Sequence, residues 1–239
     1  MLKYKIRIPI AVTIIAAIGI VTAFAVTESL HKERDNKFVP AMISLAVIEN
    51  NNSNTDYNLV NNLNWEESDN EYTANKLVEI ANLNKDDENN ADAYIRVCII
   101  PRWTADIKTG TDPIKSISVD VDMPIEDFGS LTGINLEDTS TSYTMGAVTF
   151  NLAENWNENW FYNEKDGYFY YRKIVPYGDK TTTLLNSVTV SAETKELLDA
   201  LDTKLTVDIL ADGIQSEGQA VGTMWKNIKV DSDGRLEKN

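Results

Sequence analysis

Apolar and polar positions alternate with a period of two over much of the chain. Ala93, Ile95, Val97 and Ile99 form one face of a predicted strand, opposite Asp92, Tyr94, Arg96 and Cys98. Ile117, Val119 and Val121 alternate with Ser118, Asp120 and Asp122, and Val148, Phe150 and Leu152 make a third set. Leu205, Val207 and Ile209 form a late one against Thr206 and Asp208. From Trp160 to Val175 two aromatic runs flank Asn163-Glu164-Lys165-Asp166-Gly167, whose Asp-Gly supplies the positive φ of a β-hairpin turn. Helix signals are few. Ser191 to Leu201 has a Ser cap and apolar spacing, and Ser216 to Trp225 sets Ala220, Val221, Met224 and Trp225 on one side of a short helix. Residues 50–90 hold 14 asparagines and read as loop-heavy ground, because asparagine caps its own backbone in turns. Eight or nine strands with turn signals between them predict a mainly β chain, an antiparallel β-sandwich with one or two short helices.

The N-terminus follows a different pattern. A short basic segment leads into an apolar run, Pro9 to Val26, without a charge. Its length is at the lower edge of the ~20 residues that span a bilayer as a helix. Ala23 and Ala25 stand at −3 and −1 of a cut before Val26, the small-residue pattern of a signal peptide, with an uncleaved N-terminal anchor helix as the alternative. Either reading places the rest outside the cytoplasm, with membrane contact only through the leader. No LPxTG-like signal near Asn239 points to covalent wall attachment. The expected organisation is a leader over 1–25, a charged arm over 26–40, one β-sandwich domain over 41–230, and a C-terminal tail over 231–239.

Charge and chemistry narrow the function. The 22 basic and 37 acidic residues give a charge of −15; without Lys3, Lys5 and Arg7 of the leader, 19 basic residues face 37 acids, or −18. That excess argues against nucleic acid and anionic lipid as partners. One histidine, His31, and one cysteine, Cys98, cannot build the usual zinc sites or an intrachain disulfide. His31 sits in the charged arm, and Cys98 reads as a structural thiol. No catalytic residue and no cofactor is expected, so the chain is read as a non-enzyme. Asp120 and Asp122, two apart on a strand, and Asp231-Ser232-Asp233-Gly234 are candidate calcium ligands against a plainer reading as solvated acids. The tract Trp156 to Tyr171 reads as core and cross-strand packing, with a sugar-stacking platform or subunit contact as alternatives.

Four segments in order resemble the TasA/camelysin family. Ala91-Asp92-Ala93-Tyr94-Ile95-Arg96-Val97, leading to Ile99-Ile100-Pro101-Arg102-Trp103, is similar to its DAYVRV strand. Trp160-Phe161-Tyr162 to Tyr168-Phe169-Tyr170-Tyr171-Arg172-Lys173 resembles its aromatic hairpin, and Thr183 to Val188 its TxPLLxSV segment. Leu205 to Ile209, then Ala211 to Gly218 and Trp225, resembles its LTVxAEAIQAEG ending. The likeness covers most of 75–226 and is nearest to the BsaA-like biofilm matrix proteins exported with the signal peptidase SipW. It implies a jelly-roll-like sandwich, secretion with help of a signal peptidase, and self-association into matrix fibres, alone or with related subunits. The resemblance also implies assembly by β-strand addition, for which Ile43, Leu45 and Val47 alternate suitably. Camelysin members are described as metallo-endopeptidases, the less favoured alternative beside a surface adhesin or carbohydrate-binding module.

Overall fold

The structure is a computed structural model that describes residues 42–54, 63–83, 90–109, 115–121, 136–137, 139–217 and 219–239. The leader with Ala23, Ala25 and Val26, the charged arm with His31, and Asp122 lie outside the described residues. One compact unit runs from Ala41 to Asn239.

In chain order the first strands are β1 (Leu45–Glu49), β2 (Asn52–Asn54), β3 (Trp65–Ser68), β4 (Glu71–Asn82), β5 (Ala93–Thr109), β6 (Lys115–Asp120), β7 (Ser142–Met145) and β8 (Val148–Leu152). Helix α1 (Trp156–Asn159) leads into β9 (Trp160–Asn163) and β10 (Tyr168–Tyr171). The chain closes with β11 (Leu185–Ser191), α2 (Ala192–Ala200), β12 (Thr203–Gln215), α3 (Ala220–Met224), β13 (Ile228–Val230) and β14 (Leu236–Lys238). The first sheet has the order β2-β1-β4-β11-β8-β7, with β3 also on β4. The second has the order β12-β5-β10-β9, with β6 also on β5.

The alternation seen in the sequence explains how these sheets meet. Ile95, Val97 and Ile99 of β5 and Val207 of β12 face Val78 and Ile80 of β4, Phe150 of β8 and Val188 of β11 in one shared core. The chain is therefore mainly β and antiparallel, two sheets joined by apolar inner faces. The hairpin forms where expected, with Gly167 at φ 76° closing the turn. Ser191 caps α2, its hydroxyl accepting the Thr194 N–H at 3.1 Å.

Three expectations change. The asparagine-rich tract contains β4, a central strand of 12 residues, rather than mostly loop. Its inner row is Ala74, Lys76, Val78 and Ile80, and the lysine hides the alternation. Lys76 is 2% exposed and its ammonium donates to Glu49 of β1 at 2.6 Å. Desolvation lowers its pKa, and the Glu49 carboxylate opposes that shift. Three short helices are present among the described residues, not one or two, and Met224 of α3 is exposed while Val221 and Trp225 are buried.

The third change concerns the C-terminus. Residues 231–239 are not a tail: β14 pairs with β13, and Leu236 is fully buried. Val221, Trp225, Ile228 and Leu236 pack on Tyr94, Phe161 and Tyr170, the outer face of the second sheet. Residues 219–239 thus form a cap that covers an aromatic sheet face. Leu236→Ala should destabilise the protein by ~2–5 kcal/mol in urea unfolding, the usual cost of an emptied leucine site. A change within ~0.5 kcal/mol, as for a surface position, would contradict the cap.

Candidate assembly surface

The aromatic tract is built into two cores. Trp160, Tyr162, Phe169 and Tyr171 join the inter-sheet core. Phe161 and Tyr170 point outward and stack with centroids 5.3 Å apart, and Trp225 of the cap meets Tyr170 edge-on at 5.3 Å. Of the tract, Tyr168 alone keeps a half-buried ring, lying 4.1 Å beneath the Arg96 guanidinium. The packing reading holds, and a sugar platform on these rings is overturned by their burial.

Arg96 organises the polar part of this face. Its Nε donates to Asp212 at 2.8 Å and its Nη1 to the Tyr170 hydroxyl at 3.2 Å, while the Trp225 ring lies 5.1 Å away. Burial raises the Tyr170 pKa, and the hydrogen bond it donates to Asp166 at 2.7 Å raises it further, so the phenol stays protonated. The Tyr94 hydroxyl donates to the Gly234 carbonyl at 2.9 Å, tying β5 to the cap.

The candidate ligands have other employment. Asp120 accepts from Arg102, which also donates to Asp208 at 2.7 Å. Asp231 Oδ1 accepts the N–H groups of Asp233 and Arg235, each at 2.8 Å, and so holds a turn. No group of three or more histidine, cysteine or acidic side chains suited to a metal occurs among the described residues. Cys98 is 6% exposed; burial raises its pKa, as does Asp166, against Arg96, leaving an unreactive thiol.

The strand that stands apart is β12. It pairs with β5 through thirteen residues, from Thr203↔Ala105 to Gln215↔Ala93, and lies at the end of its sheet. Ser216 N donates to the Asp92 carbonyl at 2.9 Å, so even-numbered residues here turn their backbone groups toward β5. On the far side of β5, Ala93 exchanges both backbone hydrogen bonds with Val175, which requires the same parity. The odd-numbered residues therefore direct their N–H and C=O groups outward. Among the described residues no strand pairs with this edge over Ile209, Ala211, Gly213 and Gln215. Their side chains face the interior: Ile209 and Ala211 pack on the core.

Gly213 shapes this end of the edge. A Cβ there would lie 3.0 Å from Leu45 Cδ1 and 3.4 Å from Ile43 Cγ2, so its lack of a side chain lets the start of β1 lie against β12. The strand carrying Ile43, Leu45 and Val47 is thus occupied in its own chain, with β1 paired to β2 on one side and β4 on the other. Alternation in the sequence identified β12 as a strand, but it is the same for central and edge strands. Only topology reveals an edge that no described strand covers.

No protein-family model, characterised protein or solved structure matches this chain.

Acid should act first on the cap bordering this sheet. The Arg235 and Asp233 amides hold the Asp231 pKa below its ordinary value. The backbone amide of Glu164 and the Lys238 ammonium at 3.0 Å do the same for Glu164. A depressed folded pKa gives stability that is present above the unfolded value and lost as pH falls through the folded one. Amide resonances of Asp233 and Arg235 should therefore shift toward random-coil positions below about pH 4, ahead of those of β5. Asp231→Asn should flatten that acid limb; an unchanged limb would contradict the assignment.

Proposed function

We propose that this chain is a secreted, non-enzymatic subunit of an extracellular matrix, of the TasA/camelysin kind, which assembles into fibres by β-strand addition. In this reading the sandwich is jelly-roll-like, and the leader ending at Ala25 directs export and is removed by a signal peptidase. The observation that carries the reading is the outer edge of β12 from Ile209 to Gln215, whose backbone groups face away from β5. An added strand would satisfy these donors and acceptors, with backbone hydrogen bonds supplying affinity. With β1 occupied in its own sheet, the donor is the segment that begins at Val26, supplied by a neighbouring copy. The acidic excess opposes the approach of like copies, so assembly is a balance between edge pairing and repulsion.

Electron microscopy and light scattering of protein beginning at Val26 test this. Fibres should form, and faster as salt screens the acidic charge. Ala211→Pro removes one outward N–H without taking a bond from the β12–β5 ladder, a placement that edge strands tolerate. It should leave a folded monomer that elongates fibres at least tenfold more slowly. A protein that stays monomeric at high concentration and high salt, or an Ala211→Pro variant that assembles like the parent, would contradict the proposal.

A further inference from the structure

The outer face of the first sheet differs from every other surface described so far. Register places Thr73 of β4, Thr189 of β11, Thr149 of β8 and Thr144 of β7 in one row across four adjacent strands. The adjacent row, two residues along each strand, is Asn75, Ser187, Asn151 and Ser142. Each of these side chains lies opposite the inner row of its own strand, which holds Ala74, Val188, Phe150 and Tyr143. Strands lie about 4.8 Å apart, and alternate residues roughly 6.7 Å apart, so the rows make a two-dimensional grid about 14 Å wide.

Hydrogen bonds tie the grid together. Thr73 and Thr189 share one at 2.9 Å, and Asn151 donates to Thr189 at 2.9 Å and to Ser187 at 3.0 Å. Thr144 and Thr149 share another at 3.2 Å. Thr189, 8% exposed, serves the grid from within, while the more exposed Thr73, Thr144, Thr149, Ser142 and Ser187 hydroxyls have more hydrogen-bonding capacity than these contacts use. Beyond Asn75 the grid opens into a cleft of about 340 Å³, lined by Asn50, Asn51, Asn64, Glu66, Asn75 and Leu77. It lies where β1 stops and β3 has not yet begun along β4. Asn50 bridges that gap: its Oδ1 accepts the Leu77 N–H at 2.9 Å and its Nδ2 donates to the Asn75 carbonyl at 3.3 Å.

We propose that this face, from the asparagine cleft across the threonine row to β7, binds an uncharged polysaccharide chain lying across the strands. Charge decides the class of partner. In a chain of net charge −15, neither row carries a charge from β4 to β7; the exposed acids are Glu66, opposite Thr73 on β3 and also a wall of the cleft, and Glu71 beside it on β4. Those two acids repel an anionic polymer, and a cationic one is drawn to the acidic surface elsewhere. A neutral polyol matches the grid in kind: its hydroxyls both donate and accept, and the threonine methyls meet the C–H faces of its rings. A second copy fits less well, because a face-to-face pair would lack an apolar centre and would bring two acidic chains together. On the outer face of the second sheet the aromatic part is closed by the C-terminal cap, and beyond it stand the charged Arg102, Asp120 and Asp208.

Affinity electrophoresis of the full-length chain through gels containing dextran, soluble cello-oligosaccharides or polygalacturonate tests the proposal. At least one neutral glucan should retard the protein and polygalacturonate should not. Thr149→Lys should weaken that retardation at least tenfold, and Glu193→Lys on α2, with a larger change in charge, should not. Thr144→Lys, at an exposed grid position, serves as the second variant should Thr149→Lys melt early by circular dichroism. No retardation by either neutral glucan, equal retardation of the grid variants, or stronger retardation by polygalacturonate would overturn the inference. So would a grid variant that altered sedimentation while leaving glucan retardation unchanged, since that face would then join copies. Fibre formation is independent of these outcomes: a monomer that binds glucan keeps this inference and loses the assembly reading, and fibres indifferent to glucan do the reverse.

Discussion

The pairing of β12 with β5 over thirteen residues constrains the rest of the molecule. It points Leu205 and Val207 into the inter-sheet core and sets Asp208 and Asp212 on the outer face beside Arg102 and Arg96. Thr104 and Thr206 share a hydrogen bond at 2.9 Å in the same outer rows. A slip of one residue would exchange the two faces, burying aspartates and exposing the valine and leucine. The same register brings Gly213 under Leu45, so the two sheets approach closely at that edge. It also determines which backbone groups of β12 are satisfied by β5 and which are directed away.

The two outer faces of the sandwich meet opposite requirements. On the second sheet Tyr94, Phe161 and Tyr170 form an apolar surface that water would not tolerate, and the chain spends its last segment covering it. Arg96 stacks on Tyr168 within the sheet and joins that cover to it through a cation–π contact with Trp225. On the first sheet the two outward rows from Thr73 and Asn75 of β4 to Thr144 and Ser142 of β7 are hydroxyls and amides, most of which hydrogen-bond one another. Such a face is compatible with water and needs no cover from the chain itself. The aromatic part of one face is closed by packing, the other is left with hydrogen-bonding capacity, and β12 contributes an edge that no described strand covers.

Much of the architecture was legible because burial on one face imposes a period of two. Ile95, Val97 and Ile99, Phe150 and Leu152, and Leu205 and Val207 all face the core that their alternation predicts. The hairpin turn and the Ser191 cap were legible because both are local backbone chemistry. β4 was obscured by its neighbours' asparagines and by an inward lysine, and Lys76 is tolerable there only because Glu49, distant in sequence, accepts its charge. Residues 231–239 resembled a tail with a cation loop because the turn aspartate serves its own backbone, a role that looks the same in sequence. Tyr94 and Cys98 are buried on the supposed solvent face of β5, since long-range packing covers the second sheet. The edge of β12 and the threonine grid were not legible at all. Both depend on which strands become neighbours.

Amide hydrogen exchange along β12, followed residue by residue before and after assembly, tests the central claim most directly. In dilute monomer the Ile209, Ala211, Gly213 and Gln215 amides should exchange rapidly, while those of Leu210, Asp212 and Ile214, bonded to β5, stay protected. On assembly the first group should become as slow as the second. Uniform protection along the strand in the monomer, or outer-edge amides still exchanging rapidly in fibres, would contradict assembly through this edge.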